Sequence, residues 1–525
     1  MQGSVSLMSP RLECIYLYEI AVEENAVTKV SEFIKRQLET TVKTFEWGSK
    51  GSFQAQDSTE VVSHTIMDVT SSPLTTLSIS RQSPSRHLDW SSFEHLKSLT
   101  IMDLDDDSSQ IVWSFPLRLE KLVICMCRLT DFTSIEGVLP LGLKRLEIGN
   151  IEWRVNSPVV DLLRLESLTY LELLSMTTGE NIEQFVFPDS VEILHLTENP
   201  AFSFDQLLFP KFLHSLNISS SMLTSVDNVS FPESLLLLDI ACNKLRSVIK
   251  VKFPQKLEKL DLEYNELKHF CKIKLSQTIK VINLRGNKLE KVDLSTNDKG
   301  EPLHLEKLKL QYNSTLTVDN LRLPSIVKCL RLSGCGLENL NGFQFPATIE
   351  ELDLSENHLK QFNITFPKDS CLKICDLRQN ELVLVDVDLP PSVSVLNLYD
   401  NRLEQIPPCV GGLPNLENLN LSSNMLREAS CKFESKKLEY LNLECNEIEA
   451  LCLVFHRVIY YGVPAINLQD NQEGVLGKIY LQSVDEMITL YTRGMIDSTA
   501  IHNPVTFTVE QLLRNLPEKR GIFVK

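Results

Sequence analysis

Residues 235–245 read Leu-Leu-Leu-Leu-Asp-Ile-Ala-Cys-Asn-Lys-Leu: apolar residues at Leu235, Leu238, Ile240 and Leu245 frame an asparagine at Asn243. The same phrase returns at 257–267 around Asn265 and at 349–359 around Asn357. Counting the first apolar position of each copy gives Leu213, Leu235, Leu257 and Ile279, then Leu305, Val327, Ile349, Leu372, Val393, Leu416 and Leu438. The basic step is 22 residues, and the longer step from Ile279 to Leu305 contains an added polar stretch, 295–300, that reads as a surface loop. A unit this short cannot bury its apolar face alone, so successive copies must stack into a solenoid.

Inside the phrase, two apolar residues flank a single variable one, the period-two spacing of a short strand with both flanks facing inward. Successive strands then align as one long parallel sheet. The asparagine falls where the chain bends into the coil, away from water. Its amide carries both donors and an acceptor, so it can satisfy backbone groups of its own turn and of the next. Asn199, Asn243, Asn265, Asn287, Asn313, Asn357, Asn380, Asn401, Asn424 and Asn446 are expected to form such a ladder. A second signature, Phe-Pro or Leu-Pro, closes most units, as at Phe209-Pro210, Phe231-Pro232, Phe345-Pro346 and Leu389-Pro390. Proline stops a helix there, so the outer side should consist of short turns, with the phenylalanines stacked as a spine.

These two signatures resemble the leucine-rich-repeat family, the class with 22-residue units, and the Phe-Pro-x-x-Leu form is similar to repeats in fungal members. The resemblance implies an α/β leucine-rich-repeat fold: a right-handed solenoid or horseshoe with a long parallel concave sheet and a convex side of short turns and extended segments. The regular array runs over 74–453. Residues 1–73 read as irregular repeats with one helix at 28–42, where Val30, Phe33, Ile34 and Leu38 have helical spacing. Residues 454–525 read as a last repeat with a helical cap at 484–495 and 509–516. The asparagine position holds Leu104, Cys127, Ile151, Met176, Ser221 and Cys335 in other units, and those turns are expected to lose a rung.

The chain of 525 residues carries 69 acidic against 52 basic residues, a net charge of −17. That balance argues against nucleic acid or an anionic membrane as partner. Thirteen cysteines are scattered without a CxxC module, the pattern of reduced structural thiols in a cytoplasmic protein. No signal-peptide pattern opens the sequence, and no run of eighteen apolar residues occurs. Sequons at Asn217, Asn228, Asn313, Asn363 and Asn420 match chance for an asparagine-rich chain. Phosphate-loop, HExxH and GxSxG motifs are missing, and the acidic run at 103–107 lacks calcium-loop spacing, so neither enzyme chemistry nor a cofactor is expected.

Function is therefore expected on the exposed middle residue of each strand. Read in order, that column includes Asp239, Asp261, Asn283, Lys309, Arg331, Asp353 and Asp376. Like charges stand side by side at Asp239 and Asp261, at Lys309 and Arg331, and at Asp353 and Asp376, which costs stability unless compensated. Lys307, Lys309 and Arg331 form a basic node between acidic neighbours, suited to anchoring a charged protein partner on the concave face. Pairing of Arg331 with Asp353 is the competing reading. Tyr399, with Tyr440 and Phe455, offers aromatic anchors. The resulting expectation is a non-enzymatic protein-interaction scaffold. Resemblance leaves two other readings open, the substrate-recognition part of an F-box-type ubiquitin ligase adaptor and a regulatory subunit of a phosphatase or small-GTPase module.

Overall fold

The computed structural model describes residues 14–18, 32, 35–38, 42–48, 72–82, 87–104, 112–126, 138–150, 152–153, 160–175, 177–178, 185–200, 204–297, 300–455, 465–471, 476–481, 487–491 and 505–508. They build a parallel-sheet solenoid with little helix. Two compact units divide the chain: residues 1–245 with 251–257, and residues 246–250 with 258–525.

In the first unit, Cys14–Tyr18, Thr44–Gly48, Thr76–Gln82, Ser98–Leu104, Lys121–Cys125, Arg145–Gly149, Tyr170–Leu174, Ile193–His195, Ser215–Asn217 and Leu237–Asp239 pair in chain order, each parallel to the next. The second unit repeats the arrangement from Lys259–Asp261 through Val281–Asn283, His304–Lys309, Ile326–Arg331, Glu351–Asp353, Ile374–Asp376, Val395–Asn397, Asn418–Asn420 and Tyr440–Asn442 to Ala465–Asn467. Register follows the repeat: Ser215 faces Leu237 and Cys329 faces Glu351. The framing residues Leu235, Leu238, Ile240 and Leu245 are all buried, as are their counterparts Leu257, Leu260, Leu262 and Leu267.

The asparagine ladder forms as the amide chemistry demands. Asn313 is fully buried; its Nδ2 donates to the carbonyls of Leu284, Leu310 and Gln311, and its Oδ1 accepts from Leu289 N. Asn471 adds a rung, donating to the Leu443 carbonyl and accepting from Ile448 N. The residue before each rung bends the chain through the left-handed region, as at Cys242, Tyr264, Gln379 and Asp400. The expected gaps at Ser221 and Cys335 are filled: the Ser221 hydroxyl donates to the Leu196 carbonyl, and the Cys335 thiol lies 3.2 Å from the Leu310 carbonyl. A hydroxyl or a thiol keeps one donor where asparagine has two. The side chains at Leu104, Cys127, Ile151 and Met176 lie outside the described residues.

Proline closes the outer side by accepting rather than donating. The carbonyls of Pro116, Pro140, Pro188, Pro210, Pro232, Pro254, Pro346 and Pro390 each accept from the amide three residues on, which belongs to the first apolar residue of the next unit. This is a tight turn whose second half needs no proline N–H. The expected spine of closing phenylalanines forms only in part: Phe209 stacks on Phe231 and Phe345 on Phe366, while Phe187 and Phe253 make no ring contact to Phe209 and Phe231; Phe433 and Phe455, which no proline follows, stack separately at 5.2 Å. At the inserted stretch Asn297 exchanges backbone and side-chain hydrogen bonds with Glu301.

The helical cap at 484–495 is a correction. Met487–Tyr491 is a strand, continuing the ladder beside Ala465–Asn467 and pairing antiparallel with Val505–Thr508. Alternating Ile488 and Leu490 fit a strand as well as a short helix, and the open sheet edge supplies backbone partners that a helix would leave unpaired. Residues 509–516 lie outside the described residues. At the other end, residues 35–38 are helical and Leu38 is buried, while Val30, Phe33 and Ile34 lie outside the described residues.

Candidate partner-binding face

One residue per strand stands between two core positions on the open side of the sheet. In the second unit the column reads Asp261, Asn283, Lys309, Arg331, Asp353, Asp376, Asn397, Asn420, Asn442 and Asn467. Every aspartate and asparagine in it does the same thing: its Oδ1 accepts from the backbone N–H two residues on, at 3.1–3.3 Å. Asn217 and Asp239 do so in the first unit, on Ser219 and Ala241. A short side-chain acceptor closing onto its own backbone is an Asx turn, and it satisfies the amide where the chain leaves the strand. Asp239, Asp261, Asp353 and Asp376 thus have a local structural task. Asp239 lies in the first unit and Asp261 in the second.

Asp353 and Asp376 face each other across adjacent strands. Arg331 stands 4.0 Å from Asp353 and Arg378 3.6 Å from Asp376, which offsets the repulsion. Burial, with a smaller contribution from Asp353, still pushes the Asp376 carboxyl above its ordinary value, against the pull of the Arg378 amide. A carboxyl that holds its proton more tightly in the folded chain stabilises the fold below the unfolded pKa and loses that contribution as pH rises through the folded one. Asp376→Asn, which keeps the Asx acceptor, is therefore expected to be more stable than the parent at pH 7, with the gap closing toward pH 3. Urea midpoints across that range check it.

Lys309 and Arg331 break the column. Neither has an oxygen to offer, and the amides of Gln311 and Ser333, two residues on, have no acceptor among the described residues. Lys309 faces Asn283 on one side and Arg331 on the other, and Lys307 faces Val281 and Cys329. The structure thus brings Lys307, Lys309 and Arg331 together on two adjacent strands. Arg331 lies 3.8 Å from Glu351 besides its contact to Asp353, whereas neither Lys307 nor Lys309 makes an ion pair or side-chain hydrogen bond among the described residues. Tyr399 is half-buried and separated from Arg331 by two intervening strands; Tyr440 is also half-buried. Phe455 is core, stacked on Phe433.

Sequence reasoning missed two groupings. At the rim of the second unit, the Arg285 guanidinium sits 4.9 Å from the Tyr312 ring and 5.6 Å from the Tyr264 ring. Each ring lies across a glycine one turn on, Gly286 and Gly334, where a Cβ would approach a ring carbon to 2.4 Å. The signal was present as a tyrosine followed one unit later by glycine, at 264 and 286 and again at 312 and 334. In the first unit, the Arg145 guanidinium stacks 3.6 Å over the Tyr170 ring, and the Tyr170 hydroxyl donates to Glu172 and stands 3.1 Å from His195 Nδ1. His195 and the Tyr170 hydroxyl hold the Glu172 carboxyl below its ordinary value, against burial.

No disulfide joins the cysteines from Cys125 to Cys452 among the described residues, and Cys375 is wholly buried. Glu444, Cys445 and Asp470 bring ligand atoms within 4.8 Å of one another, without a second feature that points to an ion. Residues 105–107 of the acidic run lie outside the described residues. Among the described residues no helix is long and apolar enough to cross a membrane.

No protein-family model matches the chain. Over 110 residues, 20% of this chain and 10% of the relative, it is 33% identical to leucine-rich repeats and immunoglobulin-like domains protein 2 of Mus musculus. Over 104 residues, 19% of this chain and 13% of the relative, it is 35% identical to Toll-like receptor 6 of Bos taurus. These relatives are leucine-rich-repeat proteins. The chain spans between 10% and 16% of the length of the curated relatives it matches. Among solved structures, YopM from Yersinia enterocolitica WA-314 superposes with a TM-score of 0.41 at 18% identity, covering 77% of this chain and 81% of that one.

Proposed function

We propose that the chain is a non-enzymatic scaffold that binds a partner protein on the concave face of its sheet, around Lys307, Lys309 and Arg331. One observation carries the reading: in the second unit's column, where aspartate or asparagine otherwise closes each turn, two adjacent strands give up that hydrogen bond for cations. Local stability favours the Asx residue, so a departure at two neighbouring positions fits selection for something other than the fold. The scattered cysteines support a cytoplasmic setting.

The test is affinity capture from the protein's own cells with mass spectrometry, comparing the parent with Lys309→Glu, Arg331→Glu and with an outer-surface control, Lys211→Glu. A partner retained by the control and lost by the double variant is the expected result. An identical partner list for all three would move recognition off this face.

A further inference from the structure

Resting on that reading, we infer that the turns following Lys309 and Arg331 form a recognition site for a carboxylate, filled by an Asp or Glu side chain from an acidic segment of the partner. In the neighbouring turns the amide two residues beyond the column position receives the chain's own side-chain oxygen at 3.1–3.3 Å. At Gln311 and Ser333 the same amide has no acceptor among the described residues, so a guest oxygen has a place already shaped for it. The residues that removed the internal oxygen are the ones that attract an external anion. Lys309 and Arg331 flank the two amides, with Lys307 two residues behind on the same side of the strand.

Further unmatched polar atoms surround the position. Gln311 is only 8% exposed, and its Oε1 is buried without a hydrogen-bond partner, as are Nε of Arg331 and Nε of Arg285. Buried polar atoms are normally paired, and these three accompany the open amides, although Arg378 Nε shares the condition outside the node, so the amides and the lysines carry the case for a ligand. Charge decides the sign of that ligand. The acids around the node are occupied: Asp261 by the Glu263 amide and Asn283, Glu263 by Asn283 and Arg285, Glu351 by Cys329 and Arg331, Asp353 by Ser355 and Arg331. The two lysines are not. Beside them, exposed Tyr264 and Tyr312 with half-buried Arg285 form a rim of the residue types that dominate binding hot spots.

The experiment selects random dodecapeptides displayed on phage against the immobilised full chain, then measures synthetic copies by fluorescence polarisation at low and high salt. The comparison variant is Lys309→Asn, Arg331→Asn, which returns an internal oxygen to each turn and removes both cations. Asparagine is the column's own residue, and circular dichroism with a urea midpoint confirms that the variant folds. The expected result is enrichment of Asp- or Glu-bearing peptides whose affinity falls at least fivefold in the variant and falls with salt. Peptides without acids that instead lose binding in a Tyr399→Arg variant overturn the carboxylate site and leave the concave reading standing. No enriched sequence, or sequences indifferent to both variants, overturns both.

Discussion

Asn357→Ala is expected to destabilise the fold by about 3–5 kcal/mol, seen as a fall in the urea midpoint and loss of amide protection at Leu337. Asn357 Nδ2 donates to the carbonyls of Leu332, Leu354 and Ser355, and its Oδ1 accepts from the amides of Cys335 and Leu337. Alanine leaves these backbone groups inside the coil with no water to replace the amide. Each buried group stripped of its partner costs roughly 1–3 kcal/mol, and shared three-centre bonds keep the total below the simple sum. Repeats contact only their neighbours, so protection should drop first in the turns on either side of residue 357. Two comparisons sharpen the result. Asn357→Cys should cost less than alanine, because Cys335 shows that a thiol at this position still reaches the carbonyl of the preceding turn. Asn228→Ala, at an exposed site, should shift stability by no more than about 0.5 kcal/mol. An alanine variant as stable as the parent would mean that the ladder is not what holds successive turns together.

The rungs and the inward leucines were legible in the sequence because each rests on a narrow chemistry. An asparagine that recurs every 22 residues beside inward leucines has backbone to satisfy inside the coil, and the leucine spacing fixes which side faces in. What escaped is instructive in physical terms. Ser221 and Cys335 look like missing rungs when the pattern is taken to need an amide, whereas the coil needs only a donor at that point. Met487–Tyr491 reads as helix because five residues of mixed apolar and β-branched type fit both periods, and only the open edge beside Ala465–Asn467 decides between them. The Asp and Asn column was visible, but its meaning was not. Its side chains are polar and outward, which suggests binding, yet most are tied to their own backbone. Knowing that turns Lys309 and Arg331 from two charges among many into the two positions of the second unit where a structural rule is broken.

Lys309→Asn with Arg331→Asn is expected to raise stability by about 1–2 kcal/mol while weakening partner binding. Each asparagine would accept from the amide two residues on, at Gln311 and Ser333, as Asn283 does for Arg285 on the preceding strand. A side-chain cap of an orphan amide contributes about 1 kcal/mol in comparable helix-terminal settings. The substitutions also remove two like charges that stand opposite each other across the ladder. Against this, the contacts from Arg331 to Glu351 and Asp353, at 3.8 and 4.0 Å on a partly exposed side chain, are worth about 0–1 kcal/mol. The balance favours the variant, and a urea titration of parent, single and double variants measures it. The direction matters more than the size. If the midpoint falls instead, the two cations serve the fold, and the reason for placing a binding site on them disappears. If it rises while the partner is lost, stability has been given up at these two positions in return for recognition, and a partner's carboxylate completes turns that the chain leaves open.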